Sequence, residues 1–118
     1  RTLAVFGALD TPAHGVLSGS SPRVGAFYSP DGASHGCIES LCRRAVRNAA
    51  LAACVDQLVT CAGSPHALQA REDKGWLHAY LGMTADPKLR FHQAFAALDG
   101  IDPAHVAFDP LRAFLRAL

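Results

Sequence analysis

The sequence lacks several features that would assign a protein to a class at once. Its longest apolar run, residues 49–55, is far shorter than the roughly 18 residues that cross a bilayer, so no membrane span is expected. The net charge of +1 leaves no overall field to attract nucleic acid or acidic lipid, so any such binding has to be local. No secretory signal opens the chain, which also does not begin with Met. We therefore expect one domain that begins as a processed or excised piece.

Metal and disulfide spacings are missing as well. The four cysteines, Cys37, Cys42, Cys54 and Cys61, fall in one predicted helix at 37–62. With a rise of ~1.5 Å per residue, even the nearest pair lies roughly 8 to 9 Å apart at Cα, beyond the roughly 7 Å that a disulfide spans. No CxxC, HxxxH or HExxH occurs, so a structural zinc site is not expected. Four free thiols indicate a reducing compartment, and we expect a cytoplasmic protein.

The first part of the chain contains one clear strand. Residues 1–22 are predicted to form a helix or strand at 3–9 followed by a loop. Arg23 to Tyr28 are predicted to form a compact strand at 23–28. The predicted strand ends at Ser29-Pro30-Asp31-Gly32, whose residue types strongly favour a turn.

The rest of the chain has a helical pattern. Apolar residues in steps of three and four predict a long helix over 37–62, ended by Gly63. In the C-terminal part, residues 72–118, helices are predicted at about 72–83, at about 87–98 and after Asp109. Asp86-Pro87 and Asp109-Pro110 supply their first residues, because Pro is well suited to the first helical position. We expect the large apolar residues of these helices to be buried, among them Phe95, Leu98 and Leu115.

A single strand leaves its own backbone groups without partners, so the strand at 23–28 needs neighbours. If it is a parallel strand, most of the sheet comes from residues before Arg1 or from a partner chain. We therefore expect an α/β fold, with residues 1–118 forming one domain or the C-terminal portion of one. Two alternatives stay open: a small mixed domain in which residues 3–9 and 15–17 are further strands, and a mainly helical bundle.

Several residues near the start of the predicted long helix are candidates for catalysis or ligand binding. Cys37 lies in the first helical turn, where the helix dipole lowers a thiol pKa, and His35 could take its proton; simple packing of the cysteine is the alternative. Glu39 is favoured near the helix start and precedes Arg43 by the four residues that suit an ion pair. Arg43, Arg44 and Arg47 share a predicted helix face that contacts either phosphates or only water.

The stretches RVGAFYSPDGASHGCIESLC, REDKGWLHAYLGMTADPKLR and FDPLRAFLRAL follow one another along the chain. In this order they resemble the C-terminal part of a bacterial family of Toprim-like proteins, classed as a domain of unknown function and related to OLD-family nucleases. The resemblance covers about residues 22–118. It implies a Toprim-like, Rossmann-like parallel sheet and Mg²⁺-dependent cleavage of nucleic-acid phosphodiesters.

The resemblance also implies roles for individual residues. Glu39 matches the family Glu that is an outer carboxylate ligand of the metal or orients water. Asp31, in the Pro-Asp turn, would lie next to the metal site. Lys74 matches the catalytic Lys that neutralises charge on a phosphoryl oxygen. Independently of the resemblance, the charge pattern of the predicted helix makes Arg43 and Arg47 the candidates for contact with nucleic acid.

The chain also departs from that family. It has no Asp-x-Asp pair and no Glu at the end of an N-terminal strand, and Ile38-Glu39-Ser40 replaces a Leu-Glu-Asp segment. Mg²⁺ is therefore expected only with carboxylates from a missing N-terminal half, and the chain as it stands is expected to be an inactive fragment. Two other functions stay open: a small cytoplasmic α-rich interaction module without catalysis, and a thiol enzyme that uses Cys37 and His35.

Overall fold

A computed structural model of the protein describes residues 13–19, 23–63 and 69–118. Within these described ranges, two strands and four α-helices follow in order: β1 (Leu17–Ser18), β2 (Val24–Gly25), α1 (Ile38–Arg44), α2 (Ala49–Ala62), α3 (Gln69–Gly82) and α4 (Asp109–Ala117). Two 3₁₀ helices, Phe91–Gln93 and Val106–Phe108, lie between α3 and α4. The segment predicted as a helix or strand at 3–9 lies outside the described residues. Within these ranges, no helix combines the length and apolar character needed to cross a membrane.

The expected α/β fold with a parallel sheet is wrong. The described chain is mostly helical, and its sheet consists of two short antiparallel strands. Strand β2 lies inside the predicted strand 23–28, but its partner is β1, with Leu17 opposite Gly25 and Ser18 opposite Val24. The preceding segment of the same chain thus pairs the backbone of β2, and the physical reason for invoking a larger Toprim-like sheet disappears.

The helix predicted over 37–62 is interrupted between α1 and α2. Val46 forms an antiparallel bridge with Ile101, and the Arg47 N–H donates to the Gly100 carbonyl at 2.9 Å. Asn48 then caps α2, because its side chain accepts the Leu51 N–H at 3.0 Å. A distant segment therefore takes the backbone groups that a continuous helix would use.

The helix predicted at about 87–98 is replaced by a turn and a short 3₁₀ helix. The Asp86 carboxylate accepts the Lys88 N–H, and the Asp86 carbonyl accepts the Leu89 N–H, each at 3.0 Å. The first bond forms an Asx turn and the second a β-turn, and the chain does not continue from this turn into an α-helix. Helices α3 and α4, in contrast, lie where helices were predicted, and Pro110 stands in the first turn of α4.

The core lies where α1, α2, α3 and the segments around both 3₁₀ helices meet. Its buried apolar members are Leu41, Cys42, Ala45, Val55, Trp76, Leu77, Tyr80, Leu81, Ala94, Ile101 and Phe108. Phe95 packs against this core as predicted, whereas Leu98 is 97% exposed and Leu115 is 56% exposed, contrary to prediction. The hairpin formed by β1 and β2 contacts the helical part of the structure through Phe27, whose ring centroid is 5.7 Å from that of Phe114 in α4.

Candidate functional site

A groove with a volume of about 380 Å³ is lined by both Glu39 and Lys74. Helix α3 supplies one side, because Lys74, Leu77, His78 and Leu81 follow the helical spacing that places residues on one face. Glu39 comes from α1. The segment after Asp86 completes the lining with Pro87, Leu89, Arg90 and Phe91.

The segment after α3 is held in place by polar contacts. The Thr84 hydroxyl lies 2.7 Å from the Leu81 carbonyl oxygen and 3.1 Å from that of Asp86. The Ala85 N–H donates to the Asp99 carboxylate at 2.9 Å. Further on, Phe91 meets Phe95 edge to face, with ring centroids 5.6 Å apart. The groove wall that carries Arg90 and Phe91 is thereby fixed to the core.

The groove combines positive charge with apolar surface. Of the described residues that line it, Lys74 and Arg90 are cations, Glu39 is the one carboxylate, and His78 adds an imidazole ring. Among the ion pairs of the described residues, none uses Glu39, Lys74 or Arg90. Phe91, 40% exposed, offers an aromatic ring at the same place. Such a groove suits an anionic ligand that also has a flat or apolar part.

A second polar cluster, which the sequence did not indicate, lies between α1 and α3. The buried Asp73 carboxylate accepts hydrogen bonds from Ser40 Oγ, from Arg43 at 2.9 Å and from Gln69 Nε2 at 3.1 Å. Arg43 also pairs with Asp56 at 3.1 Å and with Glu72 at 3.5 Å. The expected Glu39–Arg43 ion pair is therefore not formed, and Glu39 faces the groove instead.

The sequence model of the family described as "Protein of unknown function (DUF3226)" matches residues 7–118. The chain belongs to the DUF3226 family. No curated protein and no solved structure matches it. The expected membership in a family of unknown function is confirmed, while these comparisons give no support to a link with Toprim proteins or OLD nucleases.

Asp31 of this DUF3226 domain lies in a turn and not in the groove. Its carboxylate accepts the Ser34 N–H at 2.7 Å, the Ala33 N–H at 3.0 Å and the Ser34 hydroxyl at 2.9 Å. The Ser34 N–H, followed by the other two donors, lowers the pKa of Asp31 to about 2. Arg44 lies 3.5 Å away. The structure thus brings Glu39 and Lys74 together and leaves Asp31 with Arg44.

The two arginines predicted to contact nucleic acid face carboxylates. Arg43 belongs to the Asp73 cluster, and Arg47 lies 3.6 Å from Asp102. In the stretches of chain that the structure describes, no group of three or more His, Cys, Asp or Glu side chains could hold a metal ion. The predicted metal role of Glu39 and Asp31 and the predicted nucleic-acid contacts of Arg43 and Arg47 stay predictions.

Cys37 is engaged as a hydrogen-bond donor. Its thiol donates to the Ala70 carbonyl at 3.5 Å and lies 3.8 Å from Ser40 Oγ. This contact with the backbone of α3 favours packing over nucleophilic use. Cys42 is fully buried, which raises the pKa of its thiol to about 12 and makes it inert.

Sequence reasoning missed two residues of the groove, His78 and Arg90. His78 follows Lys74 by four residues in a predicted helix, so a search for side chains on the Lys74 face would have found it. Arg90 gave no such signal, because the helix predicted at about 87–98 does not form.

Proposed function

We propose that this DUF3226 domain is a non-cleaving nucleic-acid-binding domain, and that the groove of Glu39, Lys74, Arg90 and Phe91 is its binding site. The observation that carries the proposal is the shared groove of two cations without carboxylate partners among the described residues and an exposed aromatic ring. Proteins that bind single strands use the same combination, in which cations contact phosphates and bases stack on aromatic rings.

The two cations have complementary abilities. Arg90 can present two parallel N–H donors to a phosphate, and Lys74 supplies a mobile point charge. Arg43 and Arg47 contribute less to such binding, because their guanidinium groups already face Asp73 and Asp102. With a net charge of only +1, binding depends on the groove and not on the charge of the whole domain.

The donor set of the groove does not fit a catalytic Mg²⁺. This ion prefers several oxygen ligands, and phosphodiester cleavage by metal ions commonly uses carboxylates that hold two of them. Within the described part of the chain, Glu39 is the single carboxylate that lines the groove. We therefore assign Glu39 to hydrogen bonding with the ligand and derive no cleavage step.

The experiment is fluorescence anisotropy with labelled single-stranded DNA and RNA of roughly 12 nucleotides, within the range of known single-strand sites. The wild-type domain is expected to bind in a saturable and salt-sensitive manner. The double variant K74A/R90A is expected to bind roughly tenfold or more weakly, a loss of about 1.4 kcal/mol or more.

The matched control is Arg116→Ala, which removes an exposed positive charge from α4, outside the groove. It is expected to bind like the wild type. An equal loss of binding free energy per removed charge in Arg116→Ala and K74A/R90A would show nonspecific charge attraction and overturn the assignment to the groove. If the wild type bound no oligonucleotide at all, the proposal of nucleic-acid binding would fail.

A further inference from the structure

We infer that the groove binds one nucleotide that carries a terminal phosphate, a phosphomonoester, either as a free nucleotide or at the end of a strand. The inference rests on the proposed function and narrows its ligand. Three observations support it: the volume of the groove, the cations and the imidazole that line it, and the presence of a single carboxylate among its described lining residues.

The volume limits the length of the ligand. The groove measures about 380 Å³, near the lower end of the roughly 300–1,000 Å³ typical of small-molecule sites. Proteins that follow a continuous single strand cover roughly 4–16 nucleotides per binding fold. A groove of this size has room for one nucleotide and not for a tract of strand.

The charges select the kind of phosphate. A phosphomonoester carries about −1.5 to −2 charges at pH 7, whereas an internal phosphodiester carries one. Lys74 and Arg90 line the groove, and His78 stands one helical turn after Lys74 on the same face of α3. Two cations with an imidazole N–H donor beside them suit a dianion better than a monoanion.

The carboxylate of Glu39 repels a phosphate, so the phosphate belongs with Lys74, His78 and Arg90. Glu39 can accept a hydrogen bond from a sugar hydroxyl or from an exocyclic amino group of the base. The base can stack on Phe91 and cover the apolar lining at Leu77 and Leu81. Each part of one nucleotide thus has a matching group in the groove.

The test compares the same oligonucleotide with a 5′-phosphate, with a 3′-phosphate, with hydroxyl groups at both ends, and closed into a circle. Adenosine monophosphate and inorganic phosphate serve as competitors. We expect an oligonucleotide with a terminal phosphate to bind roughly tenfold more tightly than the hydroxyl and circular forms. We also expect adenosine monophosphate to compete better than inorganic phosphate. Lys74→Ala and His78→Gln are expected to reduce this preference, and Arg116→Ala to keep it.

The outcomes separate the two proposals. If hydroxyl and phosphorylated oligonucleotides bind equally, with the same dependence on Lys74, the domain still binds nucleic acid but the inference is wrong. If adenosine monophosphate binds and no oligonucleotide does, the source is a free nucleotide, and the inference stands without the strand. If the wild type and Lys74→Ala show the same thermal unfolding, and neither protein binds adenosine monophosphate or any of the oligonucleotides, both proposals are overturned.

Discussion

The guanidinium group of Arg43 lies over the ring of Trp76, with Cζ 4.9 Å from the ring centroid. The buried Trp76 donates its indole N–H to the Asp56 carboxylate at 2.8 Å, and the same carboxylate pairs with Arg43 at 3.1 Å. Arg43, Asp56 and Trp76 belong to α1, α2 and α3 respectively. This triangle therefore fixes three helices relative to one another, and α3 in turn positions Lys74 and His78 in the groove.

Removal of the Arg43 charge should destabilise the fold. In Arg43→Met the Asp73 carboxylate, whose side chain is 5% exposed, loses its charged partner while it stays buried. Breaking a buried ion pair from one side costs about 3 kcal/mol or more. We expect a loss of about 3 kcal/mol in the free energy of unfolding, measured by urea denaturation.

Arg44→Met is the control for this variant. Arg44 lies next in sequence, is half exposed, and pairs with Asp31 at 3.5 Å on the surface. Exposed ion pairs contribute about 0–1 kcal/mol, so its unfolding curve should almost match that of the wild type. Equal losses in the two variants would show that Arg43 does not stabilise a buried carboxylate.

Tyr80 supports the link between α2 and the segment before the second 3₁₀ helix. Its side chain is fully buried, donates to the Asp99 carbonyl at 2.5 Å and accepts the Asn48 N–H at 3.0 Å. Tyr80→Phe leaves both backbone groups without this partner, and an unsatisfied buried group costs about 1–3 kcal/mol. We expect a loss of about 2 kcal/mol in urea denaturation. Thr60→Ala, which removes an exposed hydroxyl, should change stability by under about 0.5 kcal/mol.

Residue types that favour the ends of helices made part of the fold predictable. Gly63, with φ +73°, ends α2 as expected, and Asp109-Pro110 begins α4. The contacts that broke the predicted 37–62 helix come from Gly100 and Ile101, far along the chain, and periodicity within a segment carries no information about them. The same distance explains the missed pairing of Ser40 with Asp73.

The candidate site was predictable to a similar degree. Glu39 and Lys74 were singled out through a resemblance between sequences, and they line one groove in a fold that differs from the expected one. The groove needs only that α1 packs on α3, a contact that does not depend on a parallel sheet. Arg90 required knowledge of the turn at Asp86, where an Asx turn replaced the helix.

Phe95 and Leu98 should respond differently to truncation, although both were expected to be buried. Phe95 packs against the core and against Phe108, with ring centroids 6.2 Å apart, whereas Leu98 is 97% exposed. Phe95→Ala should cost about 2–3 kcal/mol in thermal or urea unfolding, since Phe95 is only partly buried. Leu98→Ala should stay within about 0.5 kcal/mol of the wild type. A large effect at Leu98 would mean that this side chain is covered in solution.

The turn at Asp31 should make stability depend on pH in the acid range. The backbone N–H of Ser34, then that of Ala33, favours the charged carboxylate and lowers the pKa of Asp31 from 3.8 to about 2. Because the folded pKa lies below the unfolded one, the stabilisation is complete above about pH 5 and is lost as pH falls to about 2.

In Asp31→Asn no such titration occurs. The difference in urea midpoint between wild type and Asp31→Asn should therefore be constant above about pH 5 and shrink toward pH 2. Other carboxylates titrate equally in both proteins and cancel in this difference. A difference that stayed the same down to pH 2 would show that the Asp31 carboxylate does not hold the turn through its charge.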